Sequence, residues 1–204
     1  MTMTVLGFGG VFAAITYIAP MLTEVGNFAE SSLSWLMAAF GTGMVVGNLI
    51  GGHFADRKLM PMLYTALAGL ALVLGLFTFL ASDKAASVVA VFLIGALGFA
   101  TVPPLQKHVL DHAHGAPTLA SAANIGAFNL GNALAAWLGG LVISAGLGYT
   151  APNAVGAILA ASALVPAVIS HRLQRRSARV TATRARAAPD LGRAAHATAG
   201  AVHP

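Results

Sequence analysis

Three amides fall within one uncharged stretch, Thr118 to Gly148: Asn124, Asn129 and Asn132. An amide surrounded by hydrocarbon is costly unless it bonds a neighbour or faces a wet cavity. Two roles are therefore open to these side chains, interhelical bonding or lining a solute path. In a helix, Asn124 and Phe128 are one turn apart, as are Phe128 and Asn132. That stripe of amide, aromatic ring and amide suits a neutral or weakly polar solute. Asn129 is about 100° round the helix from Phe128, where it would bond a neighbouring helix. The remaining candidates are weaker. His108 and His112 stand four apart, with Asp111 and His114 beside them, but Gly115 and Pro117 suggest a solvated loop, so no metal site is expected. No nucleophile elbow, P-loop or pair of carboxylates is present, so no catalytic residue is assigned and the chain does not read as an enzyme.

The element that positions the amides is unusual for water. It carries Gly126, Gly131, Ala135, Gly139 and Gly140, and each glycine weakens a helix by about 1 kcal/mol against alanine. In a bilayer small residues instead let helices approach closely. Composition agrees: 57% of the 204 residues are hydrophobic, 8% are charged, and the mean hydropathy is +0.80. Soluble domains carry about 25% charged residues, so this is an integral membrane protein. Six apolar runs lie near 4–22, 33–54, 60–80, 86–106, 118–145 and 151–171. Their length and lack of alternation predict helices, not barrel strands. The second run holds Gly43, Gly47 and Gly51 on one face, a surface for another helix. The third run and the start of the fourth read as lipid-facing or filler. Pro103 and Pro104 must break or bend the fourth near its end. Tyr17 precedes Pro20, marking either a helix end or a gating bend with Tyr17 facing a cavity.

Charge lies in the breaks between runs. Alternate breaks share one side of the membrane, and one side holds Arg57, Lys58, Lys107 and seven tail arginines against Lys84 on the other. The positive-inside rule makes the first side cytoplasmic, with both termini there. The expected location is a bacterial inner (plasma) membrane. Residues 1–171 thus form a six-helix unit and 172–204 a basic disordered tail, which can touch anionic lipid heads. Its pI of about 10.3 arises from that tail, and nothing else suggests nucleic acid. The chain has no cysteine, and its start has no secretory leader.

The segment Gly52-His53-Phe54-Ala55-Asp56-Arg57-Lys58 resembles the first part of the signature loop of the major facilitator superfamily, Gly-x-x-x-Asp-Arg-x-Gly-Arg-Arg. Leu59-Met60-Pro61 stands where the second part would be. In that family the full signature follows helix 2 and a degraded copy follows helix 8. The stretch Ser121 to Ala133, closed by Trp137-Leu138-Gly139-Gly140, is similar to helix 11 of the drug:proton antiporter branch, the arabinose-efflux-like and chloramphenicol-resistance-like permeases. Pro103-Pro104-Leu105-Gln106 is similar to the end of helix 10.

The resemblance implies an all-α polytopic fold, one half of a twelve-helix transporter, helices 7 to 12. It implies alternating access, export of a drug or sugar, no bound cofactor, and a proton gradient as driving force. The glycine face of Gly43, Gly47 and Gly51 would pack between the halves. Tyr17, Asn124, Phe128 and Asn132 are the candidate substrate path, and Gly131 and Gly139 further packing positions. Gly52, Asp56 and Arg57 carry the loop. No acid lies within a run, as Glu24, Glu30, Asp56, Asp83 and Asp111 fall at ends or in loops, so the coupling carboxylate is expected in an N-terminal half. Only His53, at the cytoplasmic edge, offers a titratable alternative. The partners expected are the bilayer, a small-molecule substrate, and either that half or a second copy, the chain being a fragment or one piece of a split transporter. The competing reading is a self-sufficient six-helix protein that dimerises through its glycine face as a structural or channel-like assembly.

Overall fold

The computed structural model describes residues 1–111, 113 and 115–173, and all are helical or in short connections. His112, His114 and the tail beyond Leu173 lie outside the described residues. The chain forms two units, Met1–Ala167 and Val168–Pro204; every contact below belongs to the first. Helix α1 spans Thr2–Ile15. After a break at Tyr17 (φ −112°, ψ 17°), a short α2, Ile18–Pro20, runs into a wide π-turn, Met21–Val25. The two arms meet at 46°. Then come α3, Leu33–Leu80; α4, Lys84–Ala100; α5, Val102–Asp111; α6, Pro117–Ser144; and α7, Ala151–Leu173.

Local chemistry sets these boundaries. The Asp83 side chain caps α4, accepting from the Ala86 N–H at 2.7 Å. Pro117 opens α6, where its missing N–H costs nothing. Gly146 and Gly148, both at φ near +80°, turn the chain from α6 into α7. The bend foreseen at Pro103 and Pro104 falls just before them, at Thr101 between α4 and α5.

Among the described residues, four helices are long and apolar enough to cross a membrane, or five if the bent pair of α1 and α2 with its turn is one span. One of the four is too long for a single crossing. A 48-residue helix would measure about 72 Å against a hydrocarbon core of about 30 Å. Helix α3 is broken at Lys58 (φ −145°, ψ 58°). Before the break, Gly43, Gly47 and Gly51 meet Phe92, Ala96 and Ala100 of α4 in the same order, so the helices run parallel. After it, Gly69 meets Leu97, and Phe77 and Leu80 share a groove with Ala85 and Ala86, so the direction is reversed. The chain folds back on itself at Lys58.

Two expectations change here. The second half of α3 is core, not filler: Leu63, Leu67, Leu70, Leu74 and Phe77 are all buried, the last three in one cluster with Val11, Leu36 and Ile94, and Leu63 in another with Met3 and Leu105. Leucines at three- and four-residue intervals make one continuous face, which α1, α4 and α7 cover. The glycine face of Gly43, Gly47 and Gly51 is buried within this chain, against the α4 backbone. It therefore leaves no surface for a second half or a second copy, and the dimer built on that face loses its contact.

Helix α6 runs parallel to α1. A Cβ added at Gly131 would stand 2.5 Å from the Val5 carbonyl oxygen, and one at Gly139 would stand 2.6 Å from the Tyr17 ring. Helix α7 runs the other way along α1, with Gly156 against Gly10 and Ala163 beside Gly7. Tyr64 of α3 donates to the Ala167 carbonyl at 3.1 Å.

Candidate functional site

The amides of α6 divide by which way they face. Asn124 lies on the stripe Asn124, Ala127, Gly131, Ala135 and Gly139 that α1 covers, and is fully buried. Its Oδ1 accepts from the Thr4 hydroxyl at 2.8 Å, and its Nδ2 donates to Gln106 Oε1 at 2.7 Å. Gln106 Nε2 in turn donates to Ser121 Oγ at 2.6 Å. Four side chains from α1, α5 and α6 thereby satisfy one another in a low-dielectric interior, where an unpaired partner is costly. Asn124 thus binds helices together and is not presented to an open path. Neither Thr4 nor Gln106 was singled out by spacing, because the bonds join residues 120 and 18 positions apart.

Tyr17 is also turned onto α6. Its hydroxyl donates to the Ala136 carbonyl at 2.7 Å and its ring lies against Gly139 and Gly140. The small residues there make room for the ring.

Phe128 and Asn132 lie beside the buried stripe and are half-buried. Phe128 meets Phe8 of α1 edge-on, with centroids 4.7 Å apart. Phe8 contacts Phe12 at 5.3 Å and Phe99 of α4 at 5.5 Å, and Phe99 contacts Phe40 of α3 at 6.4 Å. Four helices thus contribute rings to one cluster; all but Phe8 remain partly open. The sequence signal for it was Phe8 and Phe12 one turn apart, the spacing that marked Phe128 and Asn132. The Oδ1 of Asn132 is buried without a donor. Asn153, at the start of α7, has a similar orphan: its Nδ2 donates to Met21 Sδ at 3.0 Å while its Oδ1 has no donor. Asn129 is exposed.

At the fold-back of α3, Asp56 pairs with Lys107 of α5 at 3.1 Å. Arg57 donates to His53 Nε2 at 3.3 Å, one turn back on the same helix. Gly52 has open space where a Cβ would be. Gln106 and Lys107, adjacent on α5, therefore tie that segment to α6 and to the loop. His108 is helical, not in a loop as expected, because α5 continues to Asp111. No group of three metal-ligating side chains occurs among the described residues.

An all-helical chain of long apolar segments, closed by small residues and with its buried amides bonded across helices, is a multi-pass membrane protein. It belongs to the Major Facilitator Superfamily, whose family model matches residues 1–199. The chain is 42% identical over 171 residues to Inner membrane transport protein YdhP of Escherichia coli (strain K12), covering 84% of this chain and 44% of that protein. It is 32% identical over 177 residues to Putative transporter AraJ of the same organism, covering 86% and 45%. It is 35% identical over 156 residues to the Chloramphenicol resistance protein of Streptomyces lividans, covering 76% and 38%. The chain spans less than half the length of these relatives. No solved structure matches.

Proposed function

We propose that this chain is the C-terminal six-helix half of a secondary active transporter that exports a small molecule by alternating access. One observation supports the reading: α3 reverses at Lys58, which would let the apolar segments make six crossings in a chain covering 44% of a relative's length. The bent α1 with its π-turn, the two arms of α3, α4 with α5, α6 and α7 are the six. A second body of similar size would complete a twelve-helix transporter with a solute site between the halves. The truncated signature loop at Gly52, Asp56 and Arg57 supports assignment to the C-terminal half. Both termini and the fold-back are cytoplasmic, as the arginine and lysine distribution favours.

Efflux is favoured by a further relative, 30% identical over 147 residues, that is named Chloramphenicol efflux pump Rv0191 of Mycobacterium tuberculosis (strain ATCC 25618 / H37Rv). A proton gradient drives it, and the group that titrates lies in the other half, since the acids among the described residues sit at helix ends or in connections. The six-helix dimer gains no support, because its glycine face is already covered.

The test is efflux from cells expressing this chain alone, beside cells expressing it with its upstream reading frame. Chloramphenicol and L-arabinose are the probes. Export that requires the upstream frame is the expected result. Export by the chain alone would overturn the half-transporter reading.

A further inference from the structure

We propose that the notch between the two arms of α3 holds an anionic phospholipid, with its phosphate on Lys58 and the start of an acyl chain against Phe54, Pro61 and Met62. This goes beyond the transport reading and does not depend on which solute is carried. The chain reverses at Lys58, and a cavity of about 240 Å³ opens there. Phe54 of the first arm, Lys58 at the break, and Pro61, Met62 and Thr65 of the second arm line it. Thr65 stands three residues after Met62 and four after Pro61, so the three share one face of the second arm. That face is turned outward. Phe54, Lys58, Pro61 and Thr65 are exposed, while Met60, Leu63 and Leu67 on the other side are buried. Thr65 lies seven residues past Lys58, about 10 Å further along the arm at the rise of a helix. The cavity therefore starts at a charge and continues along an apolar wall towards the middle of the span.

The polar side chains of the cavity reduce to one free charge. The Thr65 hydroxyl is already engaged, donating to the Pro61 and Met62 carbonyls at 3.1 and 3.0 Å. Among the charged groups of the fold-back, Asp56 is paired with Lys107, and Arg57 donates to His53. Lys58 has no ion pair or hydrogen bond among the described residues. One uncommitted ammonium at the end of two membrane spans, with hydrocarbon surface below it, matches a phosphodiester that carries a hydrocarbon tail. A lysine at this level attracts anionic lipid heads, and its methylene stem can lie along the apolar wall. Other ligands fit less well. A free inorganic anion would leave Phe54, Pro61 and Met62 uncovered. A sugar would find no partners for its hydroxyls. A zwitterionic lipid would bring a second ammonium beside Arg57 and Lys58, which are adjacent cations.

The experiment places the full chain in phosphatidylcholine nanodiscs that contain a trace of phosphatidylglycerol with a diazirine on the first part of its acyl chain. A phosphatidylcholine with the same diazirine is the comparison probe. After illumination, labelled peptides are mapped. Labelling by the phosphatidylglycerol probe is expected on peptides containing Phe54 or Pro61 to Thr65, and above that by the phosphatidylcholine probe. Lys58→Gln should lower it about fivefold, to the level of the phosphatidylcholine probe, and Lys58→Arg should keep it. Lys84→Gln, at the other end of the second arm, should change nothing. Unlabelled phosphatidylglycerol should suppress the labelling, and soluble glycerol 3-phosphate at the same concentration should not. Lys58 is exposed, so its variants are expected to fold, and a thermal melt of each checks this. Equal labelling by the two probes would reduce the notch to ordinary lipid contact and overturn the proposal. So would labelling confined to other segments, or a Lys58→Gln chain that labels like the original. Suppression by glycerol 3-phosphate would make the notch a site for free anions, which also overturns it.

Discussion

Along the seam between the first arm of α3 and α4, Gly43, Gly47 and Gly51 meet the backbone at Phe92, Ala96 and Ala100. Along the seam between α1 and α6, Gly9 and Gly131 meet in the same close way. Both pairs run parallel, and both use small residues to bring backbones together. They differ in what fixes the register. Stripes with a four-residue period fit a partner nearly as well after slipping one turn. The α1–α6 seam is bracketed by two side-chain bonds, Thr4 to Asn124 near one end and Tyr17 to Ala136 near the other. A slip of one turn would break both. The α3–α4 seam is closed by backbone contact, and its register is held from outside, by the fold-back at Lys58 and the Asp56–Lys107 pair. Close packing supplies proximity, and directional bonds or chain connection supply alignment.

Four substitutions test that contrast, from the largest expected effect to the smallest. Gly47→Ala places a Cβ inside the contact distance of the Ala96 carbonyl and α-carbon, where neither side can yield. A loss of about 3 kcal/mol is expected in unfolding from mixed micelles, far beyond the gain in helix propensity. Gly52→Ala is its control, with nothing near the added carbon. If Gly47→Ala is as stable as Gly52→Ala, the seam is looser than described.

Asn124→Leu leaves Thr4 and Gln106 without their buried partner. The expected loss is about 1–2 kcal/mol. A double-mutant cycle with Gln106→Leu should return a coupling of about 0.6 kcal/mol or more, and additive losses would remove the network from the account of register. Tyr17→Phe keeps the ring over Gly139 but deletes the bond to Ala136, for about 0.6 kcal/mol. An unchanged Tyr17→Phe would reduce that bracket to packing alone. Lys107→Gln is expected to have the smallest effect. Its pair with Asp56 is exposed to solvent, so any change in melting temperature should vanish as salt is raised. A loss that persists at high salt would give the ion pair a larger part in holding the α3–α4 register.

The sequence was informative about elements and less so about their neighbours. The apolar run at 118–145 became Pro117–Ser144, and the runs at 33–54 and 60–80 became the arms of one helix broken at Lys58. The glycine stripe of α3 was visible as a packing surface, yet its partner was misjudged, since α4 covers it. The amide, ring and amide on α6 were visible as one stripe. The fold then separated them: Asn124 turned inward to Thr4 and Gln106, while Phe128 and Asn132 remained partly open beside Phe8. The aromatic cluster escaped notice because its rings come from four segments.

By itself the sequence determined the membrane class, the approximate helices and the family signature at Gly52, Asp56 and Arg57. These are local properties: apolar length, breaks carrying charge, and residues adjacent in the chain. The tertiary structure alone decided which small-residue face meets which helix and which amide is bonded or left open. Glycine and alanine stripes are complementary to almost any other such stripe. The choice among them depends on closing all the helices at once, with bonds such as Thr4 to Asn124 and Tyr17 to Ala136 formed in the same step.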